Sequence, residues 1–320
     1  MDGVITHKKP VPGLALGFIG CGNMGVAILS GILAALSSQS SSSPPSPFPS
    51  TPSTPTNLPA SFIACVKRTE SANRLKKLLL SKSPSSLTSP SLASPSSPPI
   101  TVIAGDNTLG AQISDIVVLG CKPQMVAEIL SNEGTRKALA GKLLISICAG
   151  VTLDQLAAHL DPSTRIIRVM PNTASRIRES MTVISCDPTA IPQEERDLVF
   201  WIFSQIGRAI FLPEKHMDAS TALCGSGPAF MALVLEAMVD GGVMMGLPRV
   251  EAQMMAAQTM RGTAGMVLDG EHPAIVREKV TTPGGCTIGG LLVLEDGRLR
   301  STIARGVQEA TRVASGLGSK

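Results

Sequence analysis

The sequence predicts an α/β domain on a parallel sheet, followed by an all-α domain. Three observations lead there. Short continuous apolar runs alternate with amphipathic segments through the first two thirds of the chain. A glycine-rich turn closes the first run and opens the first helical pattern. From about Glu214 onward no strand is convincing, and long helical patterns rich in Ala, Met, Leu and Gly take over. The expected domains are therefore residues 1–214 and 215–320.

Leu14–Gly20 (LALGFIG) is apolar throughout and ends in glycine, which reads as a buried strand. Asn23–Leu36 then places Met24, Ile28, Ile32 and Ala35 at helical spacing. Phe62–Val66 is the second strand, and Ser71–Leu80 a helix basic on one side. Ile100–Ala104 and Asp115–Leu119 are the third and fourth, with a helix from about Pro123. Leu143–Cys148 and Arg165–Met170 are the fifth and sixth. Strands apolar on both faces need helices on both faces, the signature of a parallel sheet. Met181–Cys186 and Ala209–Leu212 add further strands around a helix at Gln193–Ile206.

Met217–Met245, Pro248–Leu268 and Gly289–Gly316 read as long helices. Several are apolar on more than one face, which suits an interface between two copies better than a lone helical layer. The uncharged stretch Ala219–Leu235 contains Ser, Thr, Gly and Pro and runs into Glu236 and Asp240, so it is expected as a buried helix and not a membrane span.

Two segments interrupt the alternation. Residues 37–59 hold nine Ser and seven Pro; residues 81–99 hold nine Ser and five Pro. Such sequence cannot bury enough apolar surface to offset its ordering entropy, so both are expected as disordered surface insertions.

Composition excludes several classes. The net charge of +4 is spread thinly, with no basic run longer than two residues, and aromatics make up 2% with no Tyr and one Trp. Phosphate-held nucleic-acid binding and base-stacking platforms need more of both. The seven cysteines form no C-x-x-C pair and the four histidines are dispersed, so no metal site is expected. The scattered thiols suit a reducing compartment, and the first residues lack an apolar h-region, so the cytoplasm is the expected location.

Five motifs carry chemistry. Gly20-Cys21-Gly22-Asn23-Met24-Gly25 is a G-x-G-x-x-G between strand and helix. The first glycine permits the turn, the second lets a pyrophosphate approach the backbone, and the third allows close helix–strand packing: the Rossmann-like fingerprint of a dinucleotide site. At the end of the second strand, Lys67, Arg68 and Thr69 stand where an NAD site usually carries an acid. A cation and a hydroxyl suit a 2′-phosphate and favour NADPH, while Glu70 keeps NADH open.

Gly120-Cys121-Lys122-Pro123 follows the fourth strand, Asn107 the third, and Cys148-Ala149-Gly150 the fifth. All sit at carboxyl strand ends, where open α/β sheets bind ligands. Lys122 either approaches a nicotinamide ribose or phosphate or is a surface lysine at a helix start.

Leu223–Phe230 contains Gly225-Ser226-Gly227-Pro228, with Pro228 expected in a first helical turn and Ser226 near its cap. The pattern is not G-x-S-x-G and follows no strand, so a serine hydrolase is rejected. Thr281–Thr287 (TTPGGCT) opens a helix through a Gly-Gly turn. It is either a backbone N–H site for a carboxylate or an ordinary helix start.

Taken together, these motifs resemble the pyrroline-5-carboxylate reductase family. The likeness rests on GFIGCGNMG, CKP, MPNT (Met170–Thr173), ALCGSGPAF, DGGVMMGLPR (Asp240–Arg249) and TTPGGCTIGGLLVLE. It implies a Rossmann-like domain and a C-terminal dimerisation domain whose helices interleave. The active site would lie between a coenzyme domain and helices of the dimer, with further assembly, to a decamer, common in the family.

By the resemblance Gly20–Gly25 hold the pyrophosphate, and Arg68 and Thr69 lie near the adenosine ribose. Asn107, Cys121, Lys122, Pro123, Cys148 and Ala149 line the rest of the coenzyme. Gly285, Cys286 and Thr287 bind the substrate carboxylate, with the Thr287 hydroxyl near the ring nitrogen. Thr221, Ser226 and Glu214 match positions around the substrate, 1-pyrroline-5-carboxylate. The implied reaction is hydride transfer from a reduced nicotinamide to a protonated cyclic imine. That chemistry asks little of a general acid, and Thr287 and Ser226 are the catalytic candidates.

Two rivals are weaker. The β-hydroxyacid dehydrogenases carry a catalytic Lys early in the second domain, and Cys224–Met238 has none. A non-catalytic NADPH-binding regulator would have no use for an intact TTPGGCT loop.

Overall fold

The computed structural model describes residues 12–37, 55–80 and 98–317. Most of both Ser/Pro-rich segments, 38–54 and 81–97, lies outside the described residues. At their edges the boundaries shift: Ser37 ends the first helix and Pro59 begins the second strand.

Among the described residues, eight strands form one sheet: β1 Leu14–Ile19, β2 Pro59–Val66, β3 Ile100–Ala104, β4 Ile116–Leu119, β5 Leu143–Ser146, β6 Arg165–Met170, β7 Ser180–Ser185 and β8 Gly207–Phe211. Their order is β3-β2-β1-β4-β5-β6-β7-β8. The first six are parallel; β7 runs antiparallel to β6, and β8 parallel to β7. The wholly parallel sheet expected from the apolar runs is thus corrected at one edge. The link from Met170 to Ser180 holds only a 3₁₀ turn at Thr173–Ile177. That is too short for a crossover helix, so the chain turns back on itself.

Helices flank the sheet: α1 Asn23–Ser37, α2 Thr69–Leu80, α3 Asn107–Gln112, α4 Val126–Leu130, α5 Glu133–Leu139, α6 Leu153–Ala157 and α7 Gln193–Ser204. The strands alternate their side chains between two cores. Leu16, Phe18, Phe62 and Ile145 pack with Ile28 and Ile32 of α1 and Phe203 of α7. Ile19, Val117, Leu119 and Leu144 pack with Leu130, Leu139 and Leu156 on the other face. The short helices α3, α5 and α6 escape a periodicity reading and are held by side-chain caps from Asp106, Asn132 and Thr152.

After Phe211 every described element is helical: a 3₁₀ turn at Glu214–His216, α8 Met217–Ser220, a π-helical turn at Thr221–Ser226, α9 Gly227–Met244, α10 Arg249–Leu268, α11 Pro273–Lys279, α12 Cys286–Asp296 and α13 Leu299–Ala314. Three expectations change here. The helix expected at Gly289–Gly316 is two helices, because Arg298 turns left-handed (φ 56°) after Gly297. A further helix starts at Pro273, capped by His272. The stretch Ala219–Leu235 is not buried within the chain: of the most apolar window in Glu214–Met244, only 11% is buried. Leu223 is 63% and Leu233 68% exposed.

Candidate active site

The site is built along the carboxyl edge of β1–β6. Gly20 turns the chain at φ +80°, and a Cβ there would meet the Cys121 nitrogen at 2.8 Å. Only glycine lets the β1 turn lie so close to the end of β4. The Gly20 and Cys21 N–H groups both donate to the Cys65 carbonyl, at 3.1 and 2.9 Å, which fastens this turn to β2. At Gly22 the space is open, with the nearest atom to an added Cβ, the Gly20 carbonyl oxygen, 3.9 Å away. Gly22 and Asn23 are exposed at the start of α1, while Gly25 is buried against Cys21 and Phe18. An open second glycine at an exposed helix start is what a pyrophosphate needs.

The remaining coenzyme candidates line the same edge. Arg68 and Thr69 are exposed at the end of β2, where Thr69 begins α2. Asn107 begins α3 next to its cap, Asp106. Lys122 is exposed and precedes Pro123 in a 3₁₀ turn. Cys121 and Cys148 face each other across β4 and β5, sulfur to sulfur at 3.9 Å. That hydrogen bond and burial raise the pKa of the Cys121 thiol and keep it protonated. Ala149 follows Cys148. Met24 reaches across to β6's end, where its Sδ accepts from the Ser175 hydroxyl at 3.4 Å.

Helical-domain candidates divide into two groups. Glu214 is bonded to the sheet, and the π turn that bears Thr221 and Ser226 lies against β6. Glu214 Oε1 accepts from the Leu153 N–H at 2.7 Å and pairs with Arg168 at 3.3 Å. Arg168, 3% exposed on β6, also reaches Asp218 at 3.1 Å. Glu214 is therefore engaged in an ion-pair cluster joining β6, the start of α6 and α8. The Thr221 hydroxyl donates to the Met217 carbonyl at 2.8 Å. Ser226 does not act as a helix cap. It has helical dihedrals and ends the π turn, so the chain is helical on both sides of it.

Gly285, Cys286 and Thr287 form the second group. Gly284 adopts φ +64°, and the Gly285 N–H donates to the Thr282 carbonyl at 3.1 Å, closing the turn that starts α12. The side chain of Cys286 is exposed and Thr287 is half-buried. This loop sits on α12, whose main packing partner is α13, and its hydrogen bonds are local. Within one chain it is not joined to the coenzyme edge by a hydrogen bond or ion pair among the described residues. A cavity of about 300 Å³ beside it is lined by Arg277, Thr281, Ile288, Leu291 and Arg300.

Sequence reasoning assigned no role to Arg168, Asp218 or Asn172. Asn172, at the end of β6, joins the π turn through its side-chain amide, which donates to the Cys224 carbonyl at 3.0 Å. Its only sequence signal was its place in MPNT.

Comparison with known proteins agrees with this arrangement. A family model described as pyrroline-5-carboxylate reductase dimerisation matches residues 214–317, and one described as NADP oxidoreductase coenzyme F420-dependent matches residues 15–150. A pyrroline-5-carboxylate reductase of Lophium arboricola is 52% identical, over 95% of this chain and 93% of its own. That of Schizosaccharomyces pombe is 47% identical, over 94% and 98%. The crystal structure of Plasmodium falciparum pyrroline carboxylate reductase with NADP bound superimposes with a TM-score of 0.71 at 26% identity, covering 95% of this chain and 98% of its own. With the coenzyme edge, the helical region and near-full-length identity in agreement, the chain belongs to the pyrroline-5-carboxylate reductase family of NADP-dependent oxidoreductases.

Proposed function

We propose that this chain reduces 1-pyrroline-5-carboxylate to L-proline, the last step of proline biosynthesis. The observation that carries the reading is a dinucleotide edge with an open Gly22 in a chain 52% identical to a reductase of that name. A bound NADPH supplies the hydride, and the chain supplies position. The turn Gly20–Gly25 holds the pyrophosphate against the start of α1. Arg68 and Thr69 take the 2′-phosphate end, and Asn107, Lys122, Cys148 and Ala149 border the remainder. The backbone of Gly285–Thr287 binds the substrate carboxylate, and the Thr287 hydroxyl serves the imine nitrogen, whose proton either arrives with the substrate or is drawn from solvent through Thr287.

The working unit in this reading is a dimer. Leu233 (68%), Met244 (86%), Val250 (78%), Met254 (65%) and Val293 (70%) are exposed, far more apolar surface than a monomer usually leaves in water. All lie inside the segment matched by the dimerisation model, residues 214–317. That match favours a second copy over a lipid bilayer as the cover for Glu214–Met244, which is long and apolar enough to span one. A second copy also offers a way to bring a Gly285–Thr287 loop to the coenzyme edge. Assembly of dimers into a decamer and residence in the cytoplasm belong to the same proposal; light scattering and a fluorescent fusion test them.

The deciding assay follows reduced-nicotinamide consumption by purified protein with 1-pyrroline-5-carboxylate, with NADPH and NADH in parallel. Turnover with formation of proline, faster with NADPH, is expected. Folded protein that binds NADPH yet turns over neither pair overturns the assignment.

A further inference from the structure

Pro228 creates a defect in the helix that carries Thr221 and Ser226. In an α-helix the carbonyl of residue i accepts from the N–H of residue i+4. For Cys224 that donor would be residue 228, which is proline and has no N–H. The pyrrolidine ring also crowds the carbonyl four residues back, and the chain widens into a π-helical turn at Thr221–Ser226. Cys224 thereby loses its α-helical donor, and a carbonyl left in that state at a partly buried position is costly unless another donor is found.

The donor comes from the sheet. Asn172 is 8% exposed at the end of β6. Its Oδ1 accepts from the Ala174 N–H at 3.0 Å, which fixes the orientation of the amide. Its Nδ2 therefore faces the Cys224 carbonyl and donates at 3.0 Å. The backbone N–H of Asn172 donates to the Ser180 hydroxyl at 3.0 Å, so the residue is held from three sides. Neighbouring Met170 packs on the same turn, its Cε only 2.7 Å from where a Cβ on Gly225 would stand.

We propose that Asn172 is a positioning residue of the reductase: its amide replaces the hydrogen bond that Pro228 denies Cys224, and so fixes the π turn bearing Thr221 and Ser226 against the coenzyme-binding sheet. The proposal rests on the functional reading above for what Thr221 and Ser226 do, not for the coupling of Asn172 to Pro228.

Asn172→Asp isolates the donor. It keeps the oxygen that accepts from Ala174 and nearly the same shape, but turns an acceptor toward the Cys224 carbonyl. In the full-length enzyme at neutral pH, kcat is expected to fall by about tenfold or more, with KM for NADPH within about twofold. As pH falls, the N172D carboxyl protonates, regains a donor, and kcat recovers toward wild type, a recovery absent from the wild-type profile. An unchanged kcat and pH profile overturns the proposal. So does a rise in KM for NADPH matching the fall in kcat, which would make Asn172 a coenzyme contact.

A second comparison does not depend on turnover. Pro228→Ala returns an N–H to residue 228, so Asn172→Ser should lower the melting temperature less in that background than in the parent. Equal losses in both backgrounds overturn the coupling, even if N172D fails to fold. A parent enzyme that ignores 1-pyrroline-5-carboxylate defeats the functional reading alone; the melting comparison still decides the coupling.

Discussion

At the residue scale, position converts ordinary side chains into special ones. Cys21 and Cys65 are buried under the glycine turn, and burial, then neighbouring negative charge, pushes both thiols up to about 12 from 9.0. A thiol whose folded pKa lies above its unfolded one adds stability that is whole below the unfolded value and drains away as pH rises through the folded one. The window is therefore pH 9 to 12, with a slope of up to about 1.4 kcal/mol per pH unit for each thiol. Melting curves across that window should flatten for Cys65→Ala relative to wild type; parallel curves would remove burial as the cause.

Thr287 is a second residue-scale case. If its hydroxyl passes the proton, Thr287→Ala should lower kcat by about 100-fold or more. Full turnover would leave Thr287 a positioning group at most. The candidates legible in the sequence were those whose chemistry is local. Gly20, Gly22 and Gly25 declare themselves within six residues of one another. Asn172 and Arg168 did not, because their partners are 52, 46 and 50 residues away. No window of sequence contains both ends of those bonds.

Among elements, strands were easier to read than helix ends. Among the described residues, apolar runs located the eight strands within a few residues, because the inner strands are buried on both faces and the edge strands β3 and β8 still carry apolar runs. The reversal at β7 was not legible: apolarity reports burial, not direction, and direction follows from the short link after Met170. Long helices fused on paper where one residue divides them. Arg298 sits at φ 56°, a left-handed conformation that glycine adopts without strain. Arg298→Gly should raise stability by about 0.5 kcal/mol, the relief of strain outweighing the added freedom of the unfolded chain. A lower melting temperature would mean that the Arg298 side chain contributes more than its backbone costs.

For the whole molecule, the helical third leaves a broad apolar face uncovered in a single chain. Leu233 at 68% exposure is a direct probe of what covers it. Leu233→Glu should weaken self-association by at least tenfold in Kd, or about 1.4 kcal/mol, with a rising monomer fraction in sedimentation and activity falling with it. An unchanged oligomer would direct attention to another cover for this face. The apolar excess was legible as a partner-seeking surface because several helices are apolar all round. Its exposure was not, because composition cannot distinguish a helix buried by its own chain from one buried by another.

The central place of β1 has a consequence in time. It pairs with β2 on one side and β4 on the other, with Leu16 aligned to Ile116. A ribosome adding about 5–20 residues each second delivers β4 some 5–20 s after β1. Through that interval one edge of a strand apolar throughout stays open, and the two Ser/Pro-rich segments lengthen the wait. Shortening them should matter less to the finished enzyme's stability than to its yield from the ribosome, because loop closure grows only slowly with length, while an open β1 edge is a template for aggregation.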